Sequence, residues 1–152
     1  MRRRALASTG FAWMLLALAG CASDPETGPV EVKWDRDVCE RCQMAIGDRR
    51  FAVQVREADG ALHLFDDLGC SLLWLTANSS VPVASAGSKA RIWVRDHTGD
   101  RWLDAAEARF SPGHPSPMGF GFAAFAPGAE GIGLDEVRAR VEAREEARRG
   151  ER

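Results

Sequence analysis

Cys39-Glu40-Arg41-Cys42-Gln43-Met44 sets two thiols three residues apart, with a thioether two positions beyond the second. On a turn, Cys39 and Cys42 converge on one point; in an extended stretch, Cys42 and Met44 share a face. Four chemistries compete for this hexapeptide. A redox dithiol wants its Cys-x-x-Cys at the start of a long helix, whereas Gln43 to Arg50 contains Gly47 and is only moderately helical. A structural zinc site draws four Cys or His ligands from paired knuckles, and here one pair stands with scattered histidines. A structural disulfide, with Cys70 among the candidate partners, is the third. A copper(I) site is the fourth, and it accounts for the residue types: Cu(I) is soft and prefers thiolate and thioether sulfur. Two or three sulfurs in an accessible site also exchange the ion readily, which a closed four-ligand cage does not.

A further sulfur stands in Ser116-Pro117-Met118-Gly119, where Pro112, Pro115 and Pro117 fix φ and Gly119 and Gly121 permit close backbone approach. Such a loop can present Met118 outward, although methionine is more often core filler than ligand. His114, four residues earlier, is a supplementary ligand candidate. His63, on a strand with Ala61 and Phe65, reads as a satisfied or surface histidine, and His97 as a solvated turn residue.

These groups need a scaffold and a compartment. The chain has 152 residues, 45% apolar and 28% charged, enough for one folded domain with short extensions. Its 20 basic and 22 acidic residues, net −2, lack the clustered cationic excess that binding a nucleic acid needs. Arg2 to Arg4 followed by an apolar run from Phe11 to Ala19 form an export signal over residues 1–20, too short to cross a bilayer. Leu18-Ala19-Gly20-Cys21 is similar to a bacterial lipoprotein cleavage box, so Cys21 is expected to become the first mature residue and to carry lipid. The mature chain has net charge −5. Residues 21–30, with Asp24, Pro25, Gly28 and Pro29, read as a flexible tether.

Val55-Arg56 before Gly60 recurs as Val94-Arg95 before Gly99, 39 residues later. Alternating apolar residues precede each copy, Phe51, Val53 and Val55 in the first, Ile92 and Val94 in the second. A second strand follows each turn (Ala61 to Phe65; Arg101 to Leu103), then an aspartate suited to cap a helix. The first helix is expected from Leu68 to about Ala77 and a shorter one from Ala105 to Arg109. The expected fold is therefore α+β: two related strand-strand-helix units, about 51–77 and 91–109, in one small domain. Residues 78–90 read as a surface connection, and 110–133 as a proline- and glycine-rich ordered loop with a strand within Phe120 to Phe125. Leu134, Val137 and Val141 form a narrow stripe on a charged C-terminal helix, partly docked or frayed, over 134–152.

Taken together, several segments resemble the NosL family, copper-binding lipoproteins that accompany nitrous oxide reductase maturation in denitrifying bacteria. They are Leu-Ala-Gly-Cys at 18–21, Cys39-x-x-Cys42-x-Met44, Phe51-Ala-Val-Gln-Val55, Phe65-Asp-Asp-Leu-Gly-Cys70, Trp93-Val-Arg-Asp96, Trp102-Leu-Asp-Ala105 and Ser116-Pro-Met-Gly119. The resemblance covers roughly residues 34–126 and places a copper-binding domain at 31–133. The family pattern has glycine where Gln43 stands and threonine where Ser116 stands. It implies a periplasmic, membrane-anchored Cu(I) metallochaperone and not an enzyme. Carried over by position, Cys42, Met44 and Met118 are its ligands, Cys39 binds the ion or regulates the site by oxidation, and Cys70 is a packing residue. The partner so implied is a copper-receiving periplasmic protein or transporter complex of nitrous oxide reductase maturation. Three alternatives remain: a lipid-anchored thiol-disulfide oxidoreductase using Cys39 and Cys42, a structural lipoprotein whose sulfurs pack the core and form a disulfide, and a chaperone for a different copper enzyme.

Overall fold

A computed structural model describes residues 28–78 and 90–151. The export signal, Cys21, most of the tether and most of the 78–90 connection lie outside the described residues.

The fold is α+β. Strands β1 (Val53–Arg56) and β2 (Leu62–Phe65) form one hairpin, β3 (Arg91–Arg95) and β4 (Trp102–Asp104) a second. Together they make an antiparallel sheet in the order β2-β1-β3-β4. The β1–β3 pairing sets Gln54 opposite Trp93, with Val53 opposite Val94 and Val55 opposite Ile92. Gln54 and Trp93 are equivalent at the 39-residue offset, so a local twofold axis passes through that pair and relates the hairpins. Their turns match too: Gly60 N–H donates to Glu57 O at 3.1 Å, and Gly99 N–H to Asp96 O at 3.3 Å. Each strand-ending arginine closes its own hairpin, Arg56 on the carbonyl of Gly60 at 2.9 Å and Arg95 on that of Asp100 at 3.0 Å.

Directly paired residues share a face of the sheet. Val53, Val55, Phe65, Ile92 and Val94 form the buried face and join Leu68, Cys70, Leu72 and Leu75 of helix α1 (Leu68–Ala77) in the core. Each such large side chain contributes about 1.5–3 kcal/mol on full burial. The incoming chain covers the opposite face. The Gln54 side chain exchanges two hydrogen bonds with Val30, at 2.9 and 2.7 Å, and Arg56 donates to Gly28 O. Trp34 lies over the Arg95 guanidinium, which also stacks on Trp102. The last residues of the expected tether, 28–30, are thus fastened to the sheet.

Three expectations need correction. The second unit has no helix: Asp104 accepts from Ala106 N–H at 3.0 Å, but a single hydrogen-bonded turn follows before strand β5 (Arg109–Ser111) begins. Strand β5 pairs with β6 (Ala123–Phe125) and begins at Arg109, the last residue of the expected helix. Phe51 belongs to a 3₁₀ turn, Arg49–Phe51, capped by Asp48, and not to β1. His97 is not solvated: its ring packs against Phe51, His114 and Phe125, and its backbone N–H donates to Ala124 O at 2.7 Å.

The C-terminal residues form helix α2 (Leu134–Gly150), docked against α1 through buried Leu134, Val137 and Val141. Asp135 and Glu136 in its first turn and Arg148 and Arg149 in its last oppose the helix dipole. Among the described residues no helix is long and apolar enough to cross a membrane.

Candidate metal centre

Two segments meet at the thiols. The Cys39–Met44 loop is a tight reversal: Cys39 N–H donates to Met44 O at 2.9 Å, Gln43 N–H donates to Cys39 O at 2.9 Å, and Val38 bridges Ala45. Gln43 has φ +62°, the left-handed conformation that favours glycine, and its side-chain amide bonds the carbonyls of Cys39 and Glu40. The second segment is the junction of β2 with α1. Asp67 is the N-cap of α1 and accepts from Gly69 N–H at 2.9 Å. Asp66 precedes it on extended chain, where neighbouring side chains point opposite ways, so Asp66 turns toward the loop. Cys70 follows four residues later, on the first helical turn.

One ligand atom each from Cys39, Cys42, Asp66 and Cys70 lies within 4.8 Å of the others, and these four side chains can hold a metal ion. All three cysteines are free thiols. Cys39 and Cys70 are fully buried and Asp66 is 1% exposed, while Cys42 is half-buried and reaches solvent. The Cys42 thiol donates to Asp66 Oδ2 at 3.3 Å; Asp66 Oδ1 is buried without a hydrogen-bond partner among the described residues. An orphaned carboxylate oxygen beside three sulfurs suits a cation.

The electrostatics separate the thiols. The Cys70 S–H donated to Cys39 Sγ, with help from the backbone N–H groups of Cys42 and Asp66, brings Cys39 down to about 4 against the opposing effect of burial. Burial pushes Cys42 up to about 12, with Cys39 and Asp66 adding to the rise. Cys70 is raised by its hydrogen bond to Cys39 and by burial. Burial, then Cys39, brings Asp66 up to about 6. At neutral pH Cys39 and most of Asp66 are therefore ionised while Cys42 and Cys70 keep their protons, and a metal bound to all three sulfurs must displace those two protons.

The two methionines nominated by the sequence lie on segments next to this group. Met44 is 50% exposed on the same loop. Met118 is partly buried against the core, and its N–H donates to Asp67 Oδ2 at 3.1 Å. Ser116 Oγ donates to the same oxygen at 2.5 Å and accepts from Gly121 N–H at 2.8 Å. Asp67 thus ties the Met118 loop to the start of α1, while Asp66 serves the thiols. Phe120 lies so tightly on Gly69 that a Cβ there would stand 2.1 Å from its ring. His114 is outside the group; its ring packs on His97 and Phe125. His63 is satisfied as expected, between Glu40 and Glu57 and stacked on Trp74.

Sequence reasoning brought Cys39 and Cys42 together, and the structure does the same. It missed Asp66 as a member and read Cys70 as packing; Cys70 is buried, yet its sulfur belongs to the group. A signal was present. Asp66 and Cys70 are four apart across a helix start, and only one of two adjacent aspartates can occupy the cap. No protein-family model matches the chain, and no curated protein matches it in sequence.

Proposed function

We propose that the protein is a carrier of Cu(I), which it holds on the Cys39–Cys42–Cys70 sulfur cluster with Asp66 alongside and surrenders by ligand exchange. The observation that supports this most directly is the convergence of three free thiols within 4.8 Å, one of them open to solvent. Donor type alone also suits Zn(II). The soft ion is favoured by the absence of histidine from the group and by the exposed Met44 thioether on the same loop. Cys42 is the point where an incoming or receiving ligand reaches the cargo. Cys39 and Cys70 supply sulfur shielded from water, and Met44 and Met118 are the additional soft donors the NosL resemblance nominates.

An oxidoreductase using Cys39 and Cys42 is less well supported. Such chemistry needs its low-pKa thiol exposed, whereas Cys39 is fully buried and the accessible Cys42 is raised. The NosL resemblance extends the reading to a lipid anchor on Cys21, a periplasmic location and delivery of copper toward nitrous oxide reductase.

Anaerobic titration of the reduced mature domain with Cu(I) against a competing chelator tests the carrier. Saturation at about one Cu(I) per chain with little Zn(II) response is expected for a soft sulfur site. Cys39→Ser, Cys42→Ser and Cys70→Ser should each weaken it more than Met44→Leu or Met118→Leu. Failure to retain Cu(I) with three thiols verified free would overturn the reading.

A further inference from the structure

Arg41 lies inside the Cys-x-x-Cys loop, and its guanidinium has two neighbours. Nη1 approaches Cys70 Sγ at 3.9 Å; Nη2 lies 3.6 Å from Glu145 Oε1 of α2. The Glu145 side chain is only 16% exposed, and it follows Leu134, Val137 and Val141 at helical spacing on the stripe that docks α2. A carboxylate at that position is costly to bury, and its three cationic neighbours, Arg41, Arg148 and Arg149, all stand at 3.6 Å. None of them is a close pair.

Charge balance gives this arrangement a use. Cu(I) brings one positive charge, and two or three thiolates bring more negative charge than that, with the Asp66 carboxylate adding to it when ionised. A buried anionic complex of this kind needs a nearby cation. Among the described residues no other Lys or Arg side chain hydrogen-bonds a sulfur of the group.

We propose that Arg41 is the counter-cation of the loaded sulfur site and that Glu145 of α2 competes for it. The C-terminal helix thereby adjusts how tightly the ion is held. This rests on the Cu(I) reading. It makes Arg41 a positioning residue, not a ligand.

The test is the same chelator competition on the mature chain, with Arg41→Gln, Arg41→Lys and Glu145→Gln beside the wild type, and apo melting curves as a control. Outer partners of a metal site typically change affinity about 10–100-fold. Arg41→Gln should fall in that range, Arg41→Lys should recover most of the loss, and Glu145→Gln should bind more tightly than wild type. A Gln variant that binds like wild type, a Lys variant as weak as Gln, or a Glu145→Gln variant no tighter than wild type would each overturn the proposal. Wild-type chain that holds no Cu(I) would instead overturn the reading beneath it.

Discussion

The two hairpins share a register and a turn hydrogen bond but part company after their second strand. In the first, β2 runs into Asp66-Asp67 and a ten-residue helix; in the second, β4 ends at Asp104 and the chain turns once into β5. Composition explains the divergence. Leu68–Ala77 is apolar on nearly every side, and it can be, because it lies between the sheet and α2. Ala105 to Arg109 offers Ala105 and Ala108 as its buried residues, too little apolar surface to hold a short helix that is marginal by itself. The β5–β6 hairpin that follows packs against α2 and the Arg49–Phe51 turn, and the second turn leans on it through His97 and Phe125. One unit thus became the ligand carrier, and its partner became a buttress. The difference teaches that an internal repeat transmits strand pairing more faithfully than function.

The sharpest way to break this contrast is at Gly69. Ala there places a Cβ 2.1 Å from the Phe120 ring, so Gly69→Ala should destabilise the chain by about 3 kcal/mol and loosen the Met118 loop, read by thermal melting. An unchanged midpoint would show that the clamp between α1 and the loop is not rigid. The aspartates come next. Asp67→Ala removes a helix cap and the acceptor for Ser116 and Met118, and should cost about 2–3 kcal/mol. Asp104→Ala removes one turn cap and a half-exposed contact with Arg91, about 0.5–1 kcal/mol. Equal costs would erase the distinction drawn between the units.

His97 supplies a pH test of the buttress. Burial, then the nearby His114 and Arg50, hold it below the usual histidine range, while Asp48 and Asp96 oppose the shift. The unfolded chain binds this proton more readily than the folded one, so stability is full above about pH 6.5 and declines as pH falls below it. In His97→Phe that decline should shrink, seen as a smaller loss of melting temperature between neutral and mildly acidic buffer. A decline of the same size would assign it to other groups. The smallest effect compares the turn glycines. Gly60 has φ +90° and Gly99 lacks a positive φ, so Gly60→Ala should cost about 1 kcal/mol and Gly99→Ala close to nothing.

Much of the fold was legible. The apolar alternation located β1 and β3 but not β5, and Asp66 or Asp67 with the Leu-rich run after them marked α1 from Leu68 to about Ala77, the bounds it adopts. The docking stripe of α2 was readable from Leu134, Val137 and Val141. The missing second helix was not, because Asp104 caps a turn equally well whether or not a helix follows. Half of the site was legible for a similar reason: Cys39 and Cys42 are close in sequence, so their convergence is local. Cys70 and Asp66 arrive from a different segment, and Arg41 meets Glu145 across more than a hundred residues.

What the sequence by itself determined is everything set by neighbours along the chain: the strand periodicity, the caps, the repeat and the two thiols on one tight turn. Tertiary structure alone decided which face each aspartate took, that Cys70 joined the other thiols, and that α2 docked with a carboxylate toward them. The physical reason is burial. Local propensity acts on any chain, but low dielectric, shared protons among thiols and an orphaned carboxylate oxygen exist only once packing has excluded water.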